Sequence, residues 1–165
     1  MQVDCLAWGR GTAAMKVTVL LRNEHENLKS LFDKYKKPNT RTGDGKKELF
    51  DDIRREIMVH SQMEIEIFYP ALGGTSSTTA NELVSQAKNE HEAIEKSLQE
   101  LKNINPSDRT FETKMTAIME AVLSHIEKEE GEIFDEARKI LPEYRLEELG
   151  LEMEDRRKIL TQLAA

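Results

Sequence analysis

Apolar residues recur every three or four positions along almost the whole of this 165-residue chain, the period of an α-helix and not of a strand. Breaks in the repeat set the architecture. A first stretch, about Val17 to Lys36, carries Leu21, Leu28, Phe32 and Tyr35 on one face and is stopped by "KPNTRTGDG", rich in turn residues. A second covers roughly Lys46 to Leu72, with Leu49, Ile53, Ile57 and Ile67 inward, and runs out in "GGTSSTT". Thr79 and Glu82 predict a capping box for the third, which carries Val84, Ala87, Ile94, Leu98 and Leu101 to about Ile104. "NPSD" makes the next break, with Ser107 or Asp108 as cap. The fourth stretch then bears Phe111, Met115, Ile118, Val122, Ile133 and Ile140 to about Leu141. After Pro142, "LEELGLEMEDRRKILTQL" predicts a fifth amphipathic helix. The expected fold is all-α: an up-down-up-down four-helix bundle over residues 15–141, with a C-terminal helix, residues 142–165, packed on it.

Composition narrows the partners. A net charge of −7 disfavours nucleic acid and anionic membranes, since both reward clustered Lys and Arg. No apolar run approaches membrane-spanning length. The single cysteine, Cys5, cannot close an internal disulfide and points to a reducing cytoplasm. Residues 1–14, "MQVDCLAWGRGTAA", lack the basic start and apolar stretch of a secretion signal. They read as a leader, left by cloning or by an upstream start, that takes no part in the fold.

The polar residues placed on the apolar faces are the informative ones. "NEHE" occurs twice, centred on His25 and His91, and "HSQME" and "HIEKE" supply His60 with Glu64 and His125 with Glu129. The chain's four histidines thus fall one per long helix, each in a core slot, in the order NEHE, HxxxE, NEHE, HxxxE. Measured from the first turn, near residue 40, His25 and His60 lie roughly 22 and 30 Å along their helices at the helical rise. Counts around the later turns are similar, so the four rings converge on one layer. Burying four imidazoles and two carboxylates costs several kcal/mol unless something satisfies them. Two metal ions would do so, the four-residue spacing bringing each His–Glu pair to one helix face. A His/carboxylate donor set without thiolate suits iron, and also manganese or zinc. The alternative is a buried His–Glu hydrogen-bond network without metal.

This arrangement resembles the haemerythrin-like family of HHE cation-binding domains, over about residues 17 to 141. "EIFYPAL" after Glu64 is similar to the family's second-helix ending, and "LEELGLEMEDRR" to the terminal helix of many bacterial members. The resemblance implies a non-haem di-iron centre with His25, His60, Glu64, His91, His125 and Glu129 as ligands, and Glu64 and Glu129 as bridging carboxylates. Glu130 rivals Glu129, because some members space that pair by five. Oxygen-carrying members place a fifth histidine four residues after the third-helix one, where this chain has Glu95. Either Glu95 supplies a carboxylate ligand, a site is left to water, or Glu95 is a solvated side chain. A carboxylate there would favour the higher iron oxidation state and hinder reversible oxygen release.

Three functions remain at this level: binding O2, NO or a related diatomic for sensing, storage or detoxification; a di-iron enzyme that decomposes peroxide or reduces NO; and an iron-storage or iron-responsive interaction domain. Glu24, Glu26, Glu90 and Glu92 are expected on exposed faces or supporting the ligands. Met15, Met58, Met63, Met115 and Met119 are expected to fill core. Tyr35 and Tyr69 have no direction that the sequence reveals.

Overall fold

The computed structural model describes residues 14–38 and 43–164, so the leader with Cys5 and Trp8 and the centre of the first turn lie outside the described residues. Among those described, every predicted stretch is helical and none is a strand. Helix α1 is Val17–Lys36 and α2 is Gly43–Met63. A π-helical turn, Glu64–Phe68, joins α2 to α3, Tyr69–Gly73, in one rod. After α4, Thr78–Lys102, the fourth rod repeats that plan: α5, Arg109–Lys128, a π turn at Glu129–Ile133, and α6, Phe134–Ile140. Helix α7, Glu143–Ala164, closes the chain.

Caps explain where the rods begin. Asp108 accepts a hydrogen bond from the Thr110 N–H, as expected at an N-terminus. For α4 the expected Thr79–Glu82 box is not used. Ser77 is the cap, accepting from the Ala80 N–H and donating to the Glu136 carboxylate at 2.7 Å. A hydroxyl that also ties down the neighbouring rod prevails over a box confined to its own helix.

The apolar core is two clusters separated by a polar layer. Leu21, Met63, Phe68, Leu72, Val84, Ala87 and Phe134 belong to one, beneath the residues of α7 that pack on it. Leu28, Phe32, Ile53, Ile57, Ile94, Phe111 and Val122 belong to the other. Each rod crosses between clusters at its histidine: Leu21–His25–Leu28, Ile57–His60–Met63, Ala87–His91–Ile94, and Val122–His125–Ile133. Burying a Leu or Phe contributes roughly 1.5–3 kcal/mol, so these clusters carry the layer that interrupts them.

Helix α7 packs along α1, α2 and the first π turn. A Cβ at Gly150 would lie 1.8 Å from the Met15 carbonyl oxygen, so only glycine permits this approach of helix to backbone. Ion pairs fix the register. Arg157 holds Glu24 of α1 and, at 2.7 Å, Glu56 of α2, while Arg156 holds Glu66 at 2.6 Å. No described helix is long and apolar enough to cross a membrane.

Candidate metal centre

Both carboxylates of the polar layer stand at the first residue of a π turn. The Tyr69 N–H bonds the Glu64 carbonyl and the Phe134 N–H bonds the Glu129 carbonyl, five residues back in each case. Local chemistry favours the widening. Pro70 has no N–H to donate to the residue four back, and its ring crowds that carbonyl. In an unbroken α-helix a residue five on would sit about 140° around the axis. The π turns instead bring Tyr69 and Phe134 into the layer. The Tyr69 hydroxyl reaches Glu64 at 3.1 Å, His91 Nε2 at 3.2 Å and Glu129 at 3.4 Å. Phe134 stacks on the His25 ring, centroids 6.2 Å apart.

The six residues singled out in the sequence are buried together, with Glu64, Glu129 and His25 fully enclosed. They form two groups of potential donor atoms: His25, His60, Glu64 and Glu129 in one, Glu64, His91 and His125 in the other, each within 4.8 Å of one another. Glu64 is common to both. His25 Nε2 lies 3.2 Å from Glu129 Oε2, and His60 Nε2 lies 3.1 Å from Glu64 Oε1. Yet these four atoms, and His60 Nδ1, form no hydrogen bond. They sit at hydrogen-bonding separations but are not aimed as hydrogen bonds. Buried polar atoms left this way are costly, about 1–3 kcal/mol each, and a cation among them would satisfy them. The donor set therefore fits a bound metal, with imidazole nitrogen and carboxylate oxygen as its chemistry.

Outside the donors lies a set of partners on the far ring nitrogens. His25 Nδ1 meets Glu130 Oε1 at 2.8 Å, and His125 Nδ1 meets Glu90 Oε2 at 3.0 Å, with Lys128 on the other Glu90 oxygen at 2.5 Å. His91 Nδ1 makes a short contact with Ser61 Oγ, whose hydroxyl donates to Glu95 at 3.1 Å. An Nδ1–H held outward leaves Nε2 as the inward lone pair, the form in which imidazole binds a metal. Glu130 and Glu95 thus support rings and lie outside both donor groups. In the NEHE repeats Glu24 and Glu90 are half-buried, whereas Glu26 and Glu92 are exposed. Tyr35 lies remote from the layer, donating to Glu112 at 3.2 Å. Of the methionines, Met63, Met115 and Met119 are core and Met15 is exposed.

The electrostatics separate the two carboxylates. Burial pushes Glu64 up, but the positive charge of His60 and the His125 and His91 rings beside it hold it well below the usual carboxylate range. Burial and the Glu64 charge beside it raise Glu129. Burial lowers His125, but the Glu64 and Glu129 carboxylates beside it and the hydrogen-bonded Glu90 outweigh this and raise it to about 9. Burial also lowers His60, and Glu64 reverses the sign. Tyr69 is pushed well above its ordinary value by burial and by Glu129 and Glu64, which keeps its proton on.

Sequence reasoning left Tyr69 and Ser61 without roles. Five-residue spacing from Glu64 is no signal under α-helical phase, and only Pro70 hints at an altered turn.

A cavity of about 20 Å³ adjoins the layer, lined by His60, His91 and His125, by Ser61, and by the aliphatic residues Leu28, Ile57, Ile94, Val122 and Ile126.

The family described as Hemerythrin HHE cation binding domain matches residues 16–137, and this chain belongs to it. A similar solved structure is the Hemerythrin HHE cation binding domain-containing protein of Mycobacterium kansasii, an Rv2633c homolog. It is 24% identical, with a TM-score of 0.77, covering 88% of this chain and 87% of that one. A curated relative, a DNA nickase of Nostoc sp. strain PCC 7120, is 24% identical over 140 residues. That match spans 84% of this chain but only 38% of the relative.

Proposed function

We propose that His25, His60, Glu64, His91, His125 and Glu129 hold two iron ions, and that the centre binds O2, NO or a related small uncharged molecule in the adjoining cavity. The carrying observation is the convergence of buried donor atoms on two adjacent groups that share Glu64, with hydrogen-bond partners lacking in the group of His25, His60, Glu64 and Glu129. The cavity supports the size class. About 20 Å³ admits a water-sized molecule, and an aliphatic roof disfavours charge. Iron supplies one-electron redox chemistry and Lewis acidity when bound. The chain's own residues do the rest. Glu64, common to both groups, would hold the two positions together, and Glu129 would complete the first. Leu28, Ile57, Ile94, Val122 and Ile126 exclude water, and Tyr69 offers its hydroxyl proton beside both carboxylates.

That hydroxyl favours a second reading, an enzyme decomposing peroxide or reducing NO, since such chemistry needs a proton donor at the centre. Strand nicking, the activity in the cyanobacterial relative's name, is left out of the proposal, because this chain spans 38% of that protein and carries a net charge of −7.

Metal analysis of protein from its native host, with an optical spectrum before and after O2, NO and peroxide, is the test. Iron near two per chain with a stable, reversible adduct supports the binding reading. Rapid peroxide turnover with iron retained supports the enzyme. Iron that responds to none of the three leaves storage or an iron-responsive domain as the function, and protein without metal removes the proposal.

A further inference from the structure

Helices α4 and α5 pack closely, yet a groove is left along their seam. Side chains from facing helices usually interdigitate across 8–10 Å between axes. Here Ala93, Ser97, Ala117, Ala121 and Ser124 line a surface groove of about 410 Å³ between the two helices, together with the charged Glu90 and Lys114. Small side chains alone would mean only loose packing. The second observation lies behind them, in the cavity over the centre. Its wall includes His60, 4% exposed, whose two ring nitrogens have no hydrogen-bond partner. Ile94 lines both spaces, and it is itself only 7% exposed.

We propose that small molecules reach the centre through the α4–α5 seam, with the Ile94 side chain as the gate between groove and cavity. This rests on the reading of the cavity as the ligand's place. Ile is β-branched and stiff at χ1 in a helix, so opening falls to its outer Cδ1 methyl, and the cavity provides space into which that methyl turns. An aliphatic gate and roof pass uncharged molecules of a few heavy atoms and resist ions, which would shed water without replacement. A second opening of about 60 Å³, lined by Leu83, Gln86 and Ala87, also approaches His125. It is the poorer route. The Glu90–Lys128 ion pair lies across it, and it meets the ring on the side of Nδ1, which Glu90 already holds.

Two probes test the gate. Nitric oxide binding is followed by stopped flow on ferrous protein, and xenon exchange into the cavity by hyperpolarised-xenon NMR on metal-free protein. Ile94→Ala and the milder Ile94→Val should speed both processes several-fold. Ile94→Trp should slow both, and Leu83→Trp at the other opening should change neither. Should the Trp variant not fold, the Ala and Val variants carry the test. Unchanged rates in the Ile94 variants, or slowing by Leu83→Trp alone, overturn the proposal. If nitric oxide binds no form while xenon exchange still follows residue 94, the metal reading fails and the route stands.

Discussion

The two halves of the polar layer are built from one repeated pattern, yet the structure treats them differently. The half around His25, His60, Glu64 and Glu129 offers four donors and holds all the unpartnered atoms of the layer. The half around His91 and His125 shares Glu64, offers three donors, and is already knitted together: His91 Nε2 lies 2.9 Å from His125 Nε2 and 3.2 Å from the Tyr69 hydroxyl. The pattern diverges at single positions. Tyr69 occupies on the second rod the place that Phe134 occupies on the fourth, five residues after the π-turn glutamate. One half is joined by hydrogen bonds, whereas the donor atoms of the other lack them. An identical repeat therefore need not mean two equivalent positions.

The sharpest way to break this contrast is Glu64→Ala, which removes the donor common to both halves. Iron per chain after anaerobic ferrous loading and gel filtration should fall from about two to below one. Retention of both ions would deny the shared role. A smaller effect should separate His91→Leu from His60→Leu in metal-free protein. The first takes one partner each from Ser61, Tyr69 and His125 and should destabilise by about 1–3 kcal/mol in urea unfolding. The second removes atoms without hydrogen-bond partners, and its loss should show mainly in the stabilisation that metal adds. Equal effects of the two changes on the metal-free protein would erase the distinction.

The pH dependence sharpens it further. With its folded pKa raised to about 9, His125 contributes to metal-free stability fully below its unfolded value of 6.5, a contribution lost as pH rises through about 9. Glu90 works in the opposite window. Burial raises it, but hydrogen bonds from Lys128, His125 and Gln86 lower it to about 2, so its contribution is present above 4.5 and lost toward pH 2. That group is largely solvent-screened and its share is small. Because metal requires neutral rings, uptake at pH 7 should release a proton from His125. Titration calorimetry in buffers of different ionisation enthalpy reads the number directly; no release would contradict the raised value. The smallest effect expected is for Tyr69→Phe, which copies the fourth rod's residue into the second. It should lower metal-free stability by about 1 kcal/mol and leave iron content unchanged.

Helical period, turn residues and the histidine slots by themselves specify four rods and a shared layer, because a core slot on an amphipathic helix has only one direction to face. The burial of six polar residues in that layer is readable for that reason: His25 lies in phase with Leu21 and Leu28, and Glu64 lies one turn after His60. The tertiary structure alone decided what falls out of α-helical phase or depends on a neighbouring rod. Tyr69 and Phe134 enter the layer because π turns rotate them in. Ser61 matters because His91 of another rod meets it, and Ser77 displaces the expected cap because Glu136 lies across from it. Periodicity is a property of one helix, whereas these contacts belong to pairs of helices whose relative height and rotation only packing sets.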